Sequence, residues 1–164
     1  MSKKKSIYAE GFSIEERVRT VSWKFREVTE SYPQLKNKGG TKIVSSCEMY
    51  KAFNFIFKNE TRELFVVFWL SSMNKVIGFE IISIGSLNAT IVHSREIFRG
   101  AIVSSCANII IAHNHPSGSL DPSSEDISVT RRLVDAGKVI EINIYDHIIF
   151  TNDDYFSFLD HKLI

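Results

Sequence analysis

The stretch IIIAHNHPSGSLDPSSED, residues 109–126, ends an aliphatic run in His113 and His115 and follows it with Asp126. Histidines two residues apart at a strand end leave the backbone on the same side, while Asn114 between them points away. Two imidazoles so placed can share one ion. Pro116, Ser117 and Gly118 turn the chain, and Pro122 and Ser123 open a helix whose first turn holds Asp126, able to face back toward the histidines. Two imidazoles, one carboxylate and an open fourth position make up the ligand chemistry of a catalytic zinc, with metal–ligand distances of about 2.0–2.2 Å. Closed structural zinc sites usually draw on cysteine, and none lies near. Singly, each residue has an ordinary explanation: a strand-end His is hydrogen-bonded, Asp126 is an acid favoured by the helix dipole, and Ser123 is an N-cap. Their combination points to a metal site.

Secondary-structure elements must carry these groups to one place. NIIIAH reads as a short, fully apolar strand of the kind buried on both faces of a sheet. ELFVVFWL and VIGFEIISIG, joined by SSMNK, read as a hairpin, and SLNATIVHS as a further strand. Helices are expected over 13–31, with Ser13 as N-cap and Glu16 three residues on, and from Ser45 or Ser46 through CEMYKAFNFIF to Phe57. Two more are expected: REIFRGAIVSSCAN, capped by Ser94 with Glu96 in its first turn, and 123–136, stopped by Gly137. VIEINIYDHIIF fits two short strands with Asp146 and His147 between them. That pair is read as packing at a strand edge, with a role orienting a metal ligand from behind as the alternative. DDYFSFLDHKLI reads as a closing helix. Strands alternating with helices make an α/β fold, a mixed sheet sandwiched by helices.

Composition narrows the function classes. A chain of 164 residues with 44% hydrophobic content fits one domain with a real core. The net charge of +1 gives no global basic bias, so nucleic-acid binding is not indicated by charge. Lys3 to Lys5 and the Arg131 and Arg132 pair read as solvated charge, and Trp23 and Trp69 as core or, on the first helix, a partner face. No apolar run is long enough to cross a bilayer, and the start lacks a signal-peptide core, so the expected location is cytoplasmic with no membrane partner. Cys47 and Cys106 show no CxxC spacing and read as buried reduced thiols.

The string HNHPSGSLDPSSED resembles the HxHPxG(x)nPSxxD segment of the JAMM/MPN-type (JAB domain) metalloproteases, in the form carried by RadC-like proteins. The resemblance extends through SLNATIVHSREIFRGAI, DISVTRRLVDAGK and YDHIIF, over about residues 60–160, and departs at Ser94, where RadC-like chains usually carry Pro. It implies a JAMM/MPN fold related to cytidine-deaminase-like sandwiches, placed over 41–164; the helix expected over 13–31 and the loop KNKGGTKIV make 1–40 an expected N-terminal helical extension. The resemblance further implies His113, His115 and Asp126 as ligands of Zn2+. In that family an upstream glutamate near the first core strand holds the attacking water and acts as general base. Glu63 matches that position; Glu96 competes for it but already has an explanation at a helix start. Ser123 matches the serine that steadies the tetrahedral oxyanion.

The reading that follows is a zinc-dependent hydrolase acting on a peptide, isopeptide or other amide bond, with a peptide or protein as its partner. A nucleic-acid-associated accessory protein of DNA repair or recombination, with a structural or vestigial metal, is the alternative. Many RadC-like chains carry a helix-hairpin-helix DNA-binding domain, where a short helical lead is expected here. A scaffold module is the third reading, and the intact ligand set counts against it.

Overall fold

A computed structural model describes residue 34, residues 40–85 and residues 92–164 of the protein. The expected helix over 13–31 and most of the expected strand SLNATIVHS lie outside the described residues. The elements run α1 (Ser46–Phe53), a 3-10 turn (Asn54–Ile56), β1 (Leu64–Leu70), β2 (Val76–Ile84), α2 (Ser94–Val103), β3 (Asn108–Asn114), α3 (Ser124–Ile140), β4 (Asn143–Phe150) and β5 (Tyr155–Ser157).

The sheet is mixed, with strand order β2-β1-β3-β4-β5. β1 pairs antiparallel with both β2 and β3, β3 runs parallel to β4, and β4 pairs antiparallel with β5. Every residue of β1 is buried, as expected of a strand covered on both faces. Its side chains sort by parity: Val66, Phe68 and Leu70 join Met49 and Phe53 of α1, together with Ile110, Ala112 and Ile148. Phe65, Val67 and Trp69 join Ile97, Phe98 and Ala101 of α2 and Val129 and Leu133 of α3, with Ile109 and Ile111. The period-two alternation of strands thus builds two cores, one on each side of the sheet. Among the described residues no helix is long and apolar enough to cross a membrane. Cys106 is buried and Cys47 half-buried, so the expectation of two buried thiols holds for the first alone.

Several expected boundaries change. α1 stops at Phe53 and a 3-10 turn carries the chain on to Ile56. Its cap is Ser45, whose hydroxyl accepts from the Glu48 backbone N–H. Ser94 is the first residue of α2 rather than its cap; His93 occupies the cap position without a side-chain bond. α3 runs past Gly137 to Ile140 and ends at Glu141 in the left-handed region, φ 59°. Gly137 has a different task, because a Cβ there would stand 2.4 Å from the Ile142 carbonyl oxygen. β4 is one strand, not two, and Asp146 and His147 lie within it. The closing helix is replaced by β5 and turns: Thr151 and Asp154 close a hairpin that brings Tyr155 opposite Phe150.

Candidate metal centre

Each group at the site is delivered by a different element. β3 ends in His113 and Asn114, and His115 follows it immediately. Gly118 then takes φ 82° while its N–H donates to the His115 carbonyl, a turn that a side chain would strain. The turn leads to Ser123, which caps α3 and places Asp126 in the first helical turn. Ser123 and Asp126 form a capping box: the Ser123 hydroxyl accepts from the Asp126 N–H, and the Ser123 N–H donates to Asp126 Oδ2 at 2.8 Å. The Ser123 hydroxyl also donates to the same Oδ2, at 2.6 Å.

The three residues of the opening pattern meet. His113 Nε2 lies 3.0 Å from His115 Nε2 and 3.2 Å from Asp126 Oδ1, and His115 Nε2 lies 3.6 Å from Asp126 Oδ2. His113 is fully buried, Asp126 nearly so, and His115 half-buried at the mouth. Together they form a group that could hold a metal ion. His115 Nδ1 donates to the Ser119 carbonyl at 2.8 Å, so in the neutral ring the lone pair sits on Nε2, facing the other two residues. Burial alone would raise the Asp126 carboxyl, but hydrogen bonds from His113 and His115 hold it well below the usual carboxylate range. The bond to Asp126 in turn pushes the His115 imidazole up, and the charge of Glu63 adds in the same direction.

Glu63 precedes β1. β1 pairs with β3 so that Phe65 faces His113, and the charge of Glu63, just before β1, reaches His115. The side chain of Asn114 leaves the strand on the other side from the histidines and pins this segment: Oδ1 accepts from the Leu64 N–H at 2.7 Å and Nδ2 donates to the Arg62 carbonyl at 3.0 Å. Glu96 is placed elsewhere. Its carboxylate bonds Arg99 at 2.7 Å on α2, and Arg99 also bonds Glu80 of β2. Beside His115 a cleft of about 390 Å3 opens, lined by Pro116, Gly118, Thr151, Asp153, Phe57 and Phe150 among others.

His147 is not at a strand edge. β4 lies between β3 and β5, and the fully buried His147 ring has Nε2 2.8 Å from His113 Nδ1 and Nδ1 2.6 Å from Thr130 Oγ1. Phe158 stacks on it at 4.5 Å, and burial holds its imidazole well below the usual range. Asp146, its neighbour, faces away: it accepts from Ser157 Oγ at 2.7 Å and from the Leu159 N–H at 3.0 Å. Trp69 lies in the core, where Gly78 and Gly100 make room for its ring, while Trp23 lies outside the described residues. Thr130 escaped the sequence reading. Its only signal is that it stands four residues after Asp126, hence on the same helical face.

Residues 43–163 match the family model of the RadC-like JAB domain. The chain is 52% identical over 103 residues to a UPF0758 protein of Alkaliphilus oremlandii, covering 63% of this chain and 44% of that protein. It is 42% identical over 123 residues to a UPF0758 protein of Methanosarcina acetivorans, covering 75% of this chain and 54% of that protein. A UPF0758 protein of Rubrobacter xylanophilus is 40% identical over 138 residues, 84% of this chain and 60% of that protein. The chain therefore spans about half the length of the curated relatives it matches. With the family model covering the whole sheet and every group described above, the chain belongs to the RadC-like JAB domain family.

Proposed function

We propose that the protein is a zinc-dependent hydrolase of the JAMM type, cleaving a peptide, isopeptide or other amide bond in a peptide or protein substrate. The observation that carries this reading is the convergence of His113 Nε2, His115 Nε2 and the Asp126 carboxylate, 3.0–3.6 Å apart. Donor atoms about 2.0–2.1 Å from a tetrahedral centre lie roughly 3.3–3.4 Å apart, so the spacing and the donor set both fit zinc with a fourth position left for substrate or water. Bound there, zinc supplies Lewis acidity, polarising a carbonyl and lowering the pKa of its water to about 7.

The chain's own residues supply the rest. Glu63, whose charge acts on His115, takes the proton from the attacking water and returns it to the departing amine nitrogen. Its rival Glu96 is held in ion pairs with Arg99 and Arg95. The Ser123 hydroxyl, 2.6 Å from Asp126 Oδ2, turns from that oxygen to donate to the oxyanion as it develops. The cleft beside His115 receives the chain being cut. The test is to load the native chain and Glu63→Gln with zinc and offer both a fluorogenic peptide-amide library. Equal zinc content with hydrolysis by the native chain alone is the expected result. Undiminished hydrolysis by Glu63→Gln, or less than stoichiometric zinc in the native chain, overturns the assignment.

A further inference from the structure

His113 faces the candidate centre with one ring nitrogen and the protein interior with the other, and what lies behind it decides which nitrogen is free. The chain of contacts starts at a backbone carbonyl. Thr130 Oγ1 lies 2.6 Å from the Asp126 carbonyl oxygen, which can only accept, so the single hydroxyl hydrogen goes there. Thr130 Oγ1 is also 2.6 Å from His147 Nδ1 and, with its hydrogen spent, can only accept; Nδ1 of His147 therefore carries a proton. A second proton on this ring would place a charge at a fully buried group with no carboxylate in hydrogen-bond contact. His147 Nε2 is thus a lone pair, and at 2.8 Å it accepts from His113 Nδ1–H. With a cation between His113, His115 and Asp126, the proton of His113 is thereby fixed on Nδ1 and its lone pair on Nε2, the atom 3.0 Å from His115 Nε2 and 3.2 Å from Asp126 Oδ1; without one, Asp126 competes for that proton.

We propose that His147 and Thr130 are positioning residues that fix the tautomer of His113, presenting Nε2 unprotonated to a metal ion between His113, His115 and Asp126. This deepens the metal-centre reading above and rests on it. The relay starts at the carbonyl of Asp126 itself, so the helix turn that aims one ligand also sets the proton on another. Phe158, stacked on His147 at 4.5 Å, and Phe65, stacked on His113 with planes 10° apart, hold the two rings in register.

The test reads ring protons directly. With 15N-labelled histidine at about pH 8, long-range 1H–15N correlation spectra are expected to show the Nδ1–H tautomer at His147 with or without zinc, and at His113 in the zinc-loaded protein. His147→Phe, which keeps an aromatic ring but offers no acceptor, is expected to weaken zinc binding, measured by chelator competition, about 10–100-fold. His147→Gln restores an acceptor for His113 Nδ1–H and is expected to recover most of that affinity. A native His147 carrying its proton on Nε2, or a His147→Phe protein with native zinc affinity, overturns the proposal. The His147 spectrum needs neither metal nor variant. If the native chain takes up no zinc, the metal-centre reading fails while the His147 tautomer still decides the relay.

Discussion

Asn114 Oδ1 accepts the backbone N–H of Leu64 at 2.7 Å, and this bond ties the residue between the two histidines to the segment that carries Glu63. Asn114 is almost fully buried, and its Nδ2 holds the Arg62 carbonyl. Asn114→Ala strands a buried N–H and frees the segment, and is expected to cost about 1–3 kcal/mol in urea unfolding. If Glu63 is the base, the same variant loses hydrolysis by a larger factor than it loses zinc, because the ligands remain while the base wanders. Parallel loss of zinc and turnover would instead mean that Asn114 serves the fold of β3 alone.

The site also predicts opposite pH trends with and without metal. In the metal-free chain the bond to Asp126 raises the His115 pKa above its ordinary value of 6.5. That stabilisation is complete below about pH 6.5 and is lost as pH rises through the raised value, when the carboxylate faces an imidazole lone pair instead of a proton. Zinc held as proposed would compete with that same proton, and is expected to bind better as pH rises. The stability of chelator-treated native protein over chelator-treated His115→Gln, read from urea midpoints, is expected to shrink from about pH 6 to pH 9, a comparison in which the opposite contribution of the buried His147 cancels. The increment that zinc adds to the native chain is expected to grow over the same range.

Asp146 gives a second pH dependence. Burial pushes its carboxyl up to about 6 from the ordinary 3.8, against the bonds from the Leu159 N–H and Ser157 Oγ that favour the charged form. A raised carboxyl stabilises the fold fully below about pH 4, loses that contribution between about pH 4 and pH 6, and does not regain it above. The difference amounts to at most about 3 kcal/mol. Asp146→Asn keeps an acceptor for Leu159 without the charge. It is expected to match the native protein near pH 4 and to exceed its stability by about 1–3 kcal/mol at pH 7, as read from paired denaturation curves.

The parts of the molecule legible in the sequence are those set by short-range pattern. The burial of β1 follows from seven consecutive apolar residues, and the end of β3 from HNHP, whose period-two geometry brings both Nε2 atoms to one point. The break expected at Asp146 and His147 failed for a long-range reason. A polar pair ends a strand when nothing satisfies it; here Ser157, Leu159, Thr130 and His113 do so, and none is a sequence neighbour. β5 was hidden likewise, because YFS is too short to show a period and is fixed by its pairing with β4.

Gly137 is the clearest case of a local signal with the wrong meaning, and it yields a prediction. Read alone it stops a helix, and replacing it with alanine in a helix interior should add about 1 kcal/mol of stability. In the fold it sits where α3 returns toward β4: the Ile142 N–H donates to the Gly137 carbonyl at 3.0 Å, and a Cβ on Gly137 would meet the Ile142 carbonyl oxygen at 2.4 Å and Phe98 Cζ at 3.3 Å. The first of these is backbone and cannot swing aside. Gly137→Ala is therefore expected to destabilise by about 1–3 kcal/mol net, the cost typical of overpacking, with the α3 to β4 connection displaced. Displacing that connection shifts β4 and with it His147, so zinc affinity is expected to fall together with stability although Gly137 lies in the last turns of α3 and Asp126 in the first. Thermal unfolding and chelator competition on one preparation check both. A stabilised Gly137→Ala protein would mean that the left-handed end at Glu141 relaxes to make room, and that the close approach of α3 to Ile142 does not hold β4 in place.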